Sequence, residues 1–377
     1  MSEQAEPADN RIPVSIITGF LGSGKTTLLN HWVKTEEFRD TLVLINEFGN
    51  VGLDHELVES VDDTVVLLDS GCICCTLQAD LVNSLIINLQ KALKGVIPKF
   101  KRVFIETTGL ADPAGIIATL NSDQLVFETY RYDGTITILD AQFIRQQLKK
   151  QYEVIKQIAL ADVILVSKTD LIDADEIEAI YDIAHQINKS VKIYPVLNGN
   201  ITPKILDDIG PYNATHNANP NKIMSWLNIG DQKLAPSMRK VDVTGQIGVA
   251  KPKIIAHSDI DSFSCAFEEP IDSLALLAAV DLVQQQYGDS ILRIKGILNI
   301  KGESKPIVIH GVQGNLYPLS ALKEWPTEDH SSKLVFIVRQ KVLEEIRQMF
   351  DNAIKNPDQA TLQYYQQIMD NAQIIEE

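Results

Sequence analysis

In the first half of the chain, short apolar runs alternate with stretches whose apolar residues recur every three or four positions. The runs are VSIIT (Val14–Thr18), TLVLIN (Thr41–Asn46), TVVLLD (Thr64–Asp69), RVFIE (Arg102–Glu106), TITILD (Thr135–Asp140), DVILVS (Asp162–Ser167) and KIYPV (Lys192–Val196). Most are apolar throughout instead of alternating, which is how strands read when helices cover both faces. The helical spacing predicts helices over Lys25–Thr35, Leu77–Lys94, Ala141–Ala159 and Asp175–Asn188. Strands and helices in this order predict a doubly wound, mostly parallel α/β sheet.

The alternation fades after Asn198, and GPYNATHNANPNK (Gly210–Lys222) is rich in Asn, Gly and Pro, so it reads as a connector. A second pattern follows. SFSCAFEE (Ser262–Glu269), ILRIKGILNIKG (Ile291–Gly302), PIVIHGVQ (Pro306–Gln313) and LVFIVR (Leu334–Arg339) read as strands. Helices are expected over Ile271–Tyr287, with Pro270 opening its first turn, and over Val342–Lys355, before a polar helical tail. The expected organisation is a flexible tail over 1–12, a P-loop domain over 13–205, a connector over 206–252 and a smaller α+β domain over 253–377.

Composition changes this picture little. The 377 residues are 45% hydrophobic and 22% charged, enough for two globular domains. A formal net charge of −16, with no basic stripe to offset it, argues against a nucleic-acid partner. No apolar run approaches the roughly 18–20 residues that span a bilayer, so no membrane partner is expected. The opening MSEQAEPADNRIP has neither a basic nor an apolar segment of the secretory kind. The reading is a cytoplasmic protein in a reducing compartment.

Chemistry enters at Gly19-Phe-Leu-Gly-Ser-Gly-Lys25-Thr26, which fits G-x4-G-K-[ST] between a predicted strand and a predicted helix. Glycines there let backbone N–H groups close around phosphate oxygens at the positive end of a helix. Gly19, Gly22, Ser23, Gly24 and Thr27 belong to that cradle. Lys25 is placed to reach the β- and γ-phosphates, and the Thr26 hydroxyl to ligate Mg²⁺.

Parallel strands end on one rim, where ligands bind. The segments NEFGNVGLD (Asn46–Asp54) and ETTGLADP (Glu106–Pro113) leave that rim. Glu106 closes an apolar strand, where a carboxylate needs a partner; it is assigned to the Mg²⁺ shell or to positioning water. Glu47 is assigned to metal or nucleotide from a neighbouring loop, against the alternative of a solvated carboxylate. Gly109 offers an N–H to the γ-phosphate. After the sixth strand, Ser167-Lys168-Thr169-Asp170 is similar to the Asn-Lys-x-Asp element of GTPases, with Ser in place of Asn. A carboxylate at Asp170 accepts from guanine N1–H and its 2-amino group together, a donor pair that adenine lacks. Lys168 can lay its stem along the base. The alternative is a plain helix cap at Asp170.

Three of the 4 cysteines stand in Asp69–Leu77, DSGCICCTL. Adjacent Cys74 and Cys75 make a poor disulfide, and thiolates this close repel unless a cation holds them. Soft sulfur ligands select Zn²⁺, Cu(I) or a related ion. Cys72, Cys74 and Cys75 leave one tetrahedral position open, which suits ligand exchange. Buried apolar cysteines and a redox role are the alternatives. Cys265, in a distant strand, reads as core.

ITGFLGSGKTTLLN, NEFGNVGLD, DSGCICC, ETTGLADP and SKTD, in this order, resemble the CobW-type metallochaperone GTPases, relatives of HypB and UreG. LRIKGILNIKGESKPIVIHGVQ is similar to that family's C-terminal domain. The resemblance covers nearly the whole chain. It implies hydrolysis of GTP to GDP, with Mg²⁺, coupled to delivery of Zn²⁺, or secondarily Co²⁺, to a client apo-metalloprotein. It implies that Cys72, Cys74 and Cys75 are the transition-metal ligands. Two features depart from the family pattern: the 7 histidines are scattered, with no His-rich stretch, and MSEQAEPADN lacks a Cys-Pro recognition motif. The C-terminal domain, with His310 its one notable polar residue and no cluster of ionisable residues with site-like spacing, is expected to dock the client. The protein is expected to be a monomer or a nucleotide-dependent homodimer. Two other classes stay open: a metal- and GTP-responsive regulator or scaffold, and a P-loop ATPase or kinase with structural cysteines.

Overall fold

The computed structural model describes residues 9–38, 40–45, 65–67, 76–202, 205–206, 209, 260–313, 315–317 and 319–376. Within the first half lie β1 (Ile12–Thr18), α1 (Lys25–Trp32), β2 (Thr41–Ile45), β3 (Val65–Leu67), α2 (Thr76–Leu93), β4 (Arg102–Glu106), α3 (Pro113–Ser122), α4 (Gln124–Thr129), β5 (Tyr130–Asp140), α5 (Ile144–Lys150), α6 (Tyr152–Leu160), β6 (Val163–Ser167), α7 (Ala174–Ile187) and β7 (Lys192–Val196). The seven strands form one sheet in the order β3-β2-β4-β1-β5-β6-β7, and every pairing is parallel. The apolar runs of β2 and β6 are buried along their length, as their lack of alternation demands: Val163–Val166 is inaccessible to solvent. Trp32, Phe38 and Phe104 pack their rings 5.2–5.7 Å apart in the core beside β1 and β4.

The register fixes the functional edge. Glu106 pairs with both Ile17 and Ile45, Ile45 pairs with Leu67, and Asp140 pairs with Ser167, which pairs with Val196. The carboxyl ends of the strands therefore share one rim.

Several predicted boundaries move. The helix expected over Ala141–Ala159 is two helices. Its first three residues form a turn in which the Asp140 carboxylate accepts from Gln142 N, and α5 starts only at Ile144. The break at Gln151 has charges matched to two helix ends: Lys149 and Lys150 close α5 and Glu153 opens α6. Strand β5 begins five residues before the expected Thr135, and Asp133 is an extra residue there, since Val14 pairs with Tyr132 and Ser15 with Gly134. The helices α3 and α4, absent from the sequence reading, are each capped by an aspartate: Asp112 accepts from Ala114 N and Asp123 from Val126 N.

The second half holds β8 (Ile260–Phe267), α8 (Ser273–Tyr287), β9 (Ile291–Leu298), β10 (Ile307–Val312), β11 (Asn315–Leu316), β12 (Ser320–Ala321), β13 (Ser332–Arg339), α9 (Leu343–Lys355) and α10 (Gln359–Glu376). The sheet is antiparallel, in the order β11-β10-β9-β13-β8 with β12 beside β10. Pro270 does not open the helix. Ile271 is held in a bridge to Ile300, and Asp272 caps α8 by accepting from Leu274 N and Ala275 N. Cys265 joins Phe263, Phe336, Phe350 and Val280 in the core, as expected.

The chain divides into two compact units. The first comprises the described residues to Ile144, with Leu160–Ile177 and the described residues from Lys192 to Ile209; the second comprises Arg145–Ala159, Glu178–Val191 and the described residues from Ile260 onward. Within the second, Lys189 Nζ donates to Ser262 O at 3.1 Å, and the Arg339 guanidinium lies 5.7 Å from the Tyr152 ring centroid. Among the described residues no helix is long and apolar enough to cross a membrane.

Candidate functional site

The phosphate loop is built by glycines in backbone conformations that other residues resist. Gly19, Gly22 and Gly24 have φ of 142°, 73° and 99°. A side chain on Gly19 would put its Cβ 2.3 Å from Ile138 O. Gly24 occupies the cap position of α1 and supplies no side-chain acceptor, so none competes with a phosphate for the first-turn amides. Ser23 is buried, and its N–H donates to Phe20 O. Thr27 is exposed at the start of α1. The turn at Asn198–Gly199, not singled out in the sequence, braces this helix: Gly199 has φ 75°, and a Cβ there would lie 2.8 Å from Thr27 O.

Lys25 folds back over the loop. Its Nζ donates to Gly19 O at 3.0 Å and Phe20 O at 3.3 Å, and the residue is 8% exposed. Thr26 Oγ1 donates to Glu106 Oε1 at 2.9 Å, so the two residues expected at Mg²⁺ stand together. Glu106 is 5% exposed, and its carboxylate with the Thr26 hydroxyl makes a pair of hard oxygen donors of the kind Mg²⁺ takes.

Beyond β4, Thr107 N donates to Ile17 O and Thr107 Oγ1 to Thr18 Oγ1 at 2.9 Å, locking this segment to the end of β1. Gly109 then passes so close to the phosphate loop that a Cβ would fall 2.3 Å from Leu21 N. That contact gives Gly109 a second reason to be glycine, besides the expected approach of its N–H to phosphate.

The element after β6 is tied at two points. Ser167 Oγ donates to Ser23 O at 2.7 Å, so the hydroxyl that replaces asparagine in this motif binds the phosphate-loop backbone. Lys168 takes the left-handed conformation, φ 58°, and its Nζ donates to Asp140 Oδ2 at 2.6 Å. Asp170 lies exposed in the short 3₁₀ turn Thr169–Leu171, which has no side-chain cap, and its carboxylate is open to a ligand.

Glu47, Cys72, Cys74 and Cys75 lie outside the described residues, as do Asn46, Asp69 and most of the predicted connector. Leu67 at the rim and Thr76 at the start of α2 bracket the cysteines. Among the described residues no three His, Cys, Asp or Glu side chains group as a metal site.

The second unit holds a polar group that linear spacing did not reveal. His310 pairs across β9–β10 with Lys295, and Arg293 Nη2 is 3.4 Å from His310 Nε2. Tyr317 stacks on the imidazole at 4.8 Å. Arg293, Lys295 and His310 are all buried. Arg293 and Lys295 stand two residues apart on β9, and the pairing of β10 with β9 brings His310 to them.

Two families match the chain: "CobW/HypB/UreG, nucleotide-binding domain" over residues 13–195, and "Cobalamin synthesis protein cobW C-terminal domain" over residues 260–354. The chain is 32% identical over 341 residues to the zinc chaperone YjiA of Escherichia coli strain K12, covering 90% of this chain and 98% of that one. It is 33% identical over 207 residues to the zinc-regulated GTPase metalloprotein activator 1 of Schizosaccharomyces pombe, covering 52% and 47%. The crystal structure of Zn(II)-bound YjiA GTPase from E. coli superposes with a TM-score of 0.63 at 29% identity, over 91% of this chain and 99% of that one.

Proposed function

The chain belongs to the CobW/HypB/UreG family and carries its CobW C-terminal domain, and from that premise we propose a cytoplasmic GTPase that binds Zn²⁺ through Cys72, Cys74 and Cys75 and delivers it to a client apo-protein. The observation that carries this reading is one of placement. The phosphate loop follows β1, and in the sequence the Cys-x-Cys-Cys segment follows β3, whose carboxyl end lies on the same rim of the parallel sheet. The zinc and GTPase functions named for the relatives support it.

Each residue has a task. The first-turn amides of α1 and the Lys25 ammonium meet the phosphates, Lys25 leaving the carbonyls of Gly19 and Phe20 to do so. Thr26 and Glu106 hold Mg²⁺, which when bound offsets phosphate charge. Glu106, or Glu47 from the neighbouring segment, orients the attacking water. Asp170 pairs with guanine N1–H and the 2-amino group. Thiolate ligation of zinc requires deprotonated cysteines, so metal affinity falls as pH drops. The C-terminal domain docks the client.

The test is transfer. Protein loaded with one Zn²⁺ is mixed with an apo-acceptor enzyme, with GTP–Mg²⁺ and with a non-hydrolysable analogue. GTP-dependent activation of the acceptor supports delivery. Metal and nucleotide binding without transfer would identify a regulator instead. Strong preference for ATP would sink the guanine assignment.

A further inference from the structure

We infer that Asp140 is a positioning residue for guanine recognition, acting through Lys168. The inference rests on the GTP reading above and extends it to a residue outside any motif. Asp140 ends β5, its side chain is 2% exposed, and a carboxylate so buried needs partners for its charge. Its two oxygens do different work. Oδ1 accepts from Gln142 N at 3.0 Å and closes a local turn, a role that an asparagine fills equally well. Oδ2 accepts from Lys168 Nζ at 2.6 Å, and this is where the negative charge matters.

Lys168 is the hinge of the base element. Its φ of 58° is uncommon for a residue with a side chain, and something must hold it there. Its neighbour Ser167 is anchored by Ser23 O on the phosphate loop and by its own carbonyl, which accepts from Ala141 N at 3.1 Å. The side chain of Lys168 is anchored by Asp140. The turn carrying Asp170 follows immediately and is exposed. The Asp140–Lys168 pair therefore pins the lysine stem in one direction and sets where the turn presents the Asp170 carboxylate. Without it, Lys168 must be ordered anew each time a base binds, which weakens binding without touching the reacting phosphate.

Steady-state GTP hydrolysis and fluorescent-GDP binding by the full-length chain test this in Asp140→Asn, Lys168→Met and the double variant. The expected result for each single variant is a rise of about tenfold in KM for GTP, with kcat changed far less, as for a lost charged hydrogen bond in a partly exposed site. The double variant should be no worse than Lys168→Met alone. An unchanged KM, an equal fall in kcat and kcat/KM, or additive effects in the double variant would each overturn the assignment. If Asp140→Asn does not fold, Lys168→Met carries the test from the other end of the pair, and an unchanged KM there overturns it. Asp170→Asn, assayed with GTP and with xanthosine triphosphate, separates this from the parent reading. Unaltered base preference would refute the guanine site itself, whereas a switch toward xanthine with unaffected Asp140→Asn kinetics would refute only the role of Asp140.

Discussion

Replacing Gly109 by alanine probes the contact between the segment after β4 and the phosphate loop. The new Cβ would sit 2.3 Å from Leu21 N, 2.6 Å from Leu21 Cγ and 2.8 Å from Leu21 Cα, where ordinary contact begins near 3.4 Å. The Leu21 side chain can rotate away, but its backbone cannot. About 1 Å of overlap must be relieved by moving main chain on one side. Overpacking of this kind costs about 1–3 kcal/mol. If the Gly109 segment yields, that cost appears as lost stability. If the phosphate loop yields at Leu21, it appears in nucleotide affinity, as about a 5–150-fold weakening. Fluorescent-GDP titration and thermal unfolding, run side by side, capture both. Gly115→Ala is the control, since nothing lies within 4 Å of a Cβ at that position in α3. Wild-type affinity together with wild-type melting in Gly109→Ala would refute the proposed contact.

Three further outcomes are expected. Phe104→Ala should cost about 3–5 kcal/mol in urea unfolding, because Phe104 is fully buried with Trp32 and Phe38 against it. Cys265, whose thiol burial pushes up to about 12, should stay unalkylated by iodoacetamide at pH 8 in the native protein and react once it is unfolded, as read by mass spectrometry of digests. Burial raises the Asp133 carboxyl from 3.8 to about 6 despite its pairing with Arg131. Its contribution to stability is therefore present below pH 3.8 and lost as pH rises to about 6, so Asp133→Asn should flatten the stability–pH curve across that window.

Much of this arrangement was legible in the sequence because it depends on local chemistry. Parallel strands buried on both faces must be apolar throughout, and a phosphate loop must place glycines where φ is positive. What linear sequence does not show depends on pairing between distant segments. Asp140 and Lys168 are 28 residues apart, and only the register of β5 on β6 brings them together. Yet Asp140 closes an apolar strand as Glu106 does, and the rule that gave Glu106 a partner applied equally to it. His310 likewise joins buried Arg293 and Lys295 only through the pairing of β9 with β10. The caps Asp112 and Asp123 were readable signals: Asp-Pro before an apolar run marks a helix start, and α3 follows it. The shift of α8 from Pro270 to Ser273 was harder to read, because the bridge between Ile271 and Ile300 is a tertiary contact.

The proposed delivery of metal requires GTP and the cysteine site to be coupled, so that hydrolysis releases the metal. In GTPases generally, a γ-phosphate with Mg²⁺ can order loops beside it, and hydrolysis can release them. By linkage, metal must tighten GTP by the factor with which GTP tightens metal. The direct measurement is Zn²⁺ affinity by competition with a chelating dye, in GTP–Mg²⁺, in GDP–Mg²⁺ and without nucleotide, for the wild type and Cys74→Ser. The expected result is binding about 5–150-fold tighter with GTP than with GDP, lost in Cys74→Ser while that variant's nucleotide affinity is kept. Equal Zn²⁺ affinities in all three nucleotide states would contradict hydrolysis-driven release, even if the cysteines bind the metal.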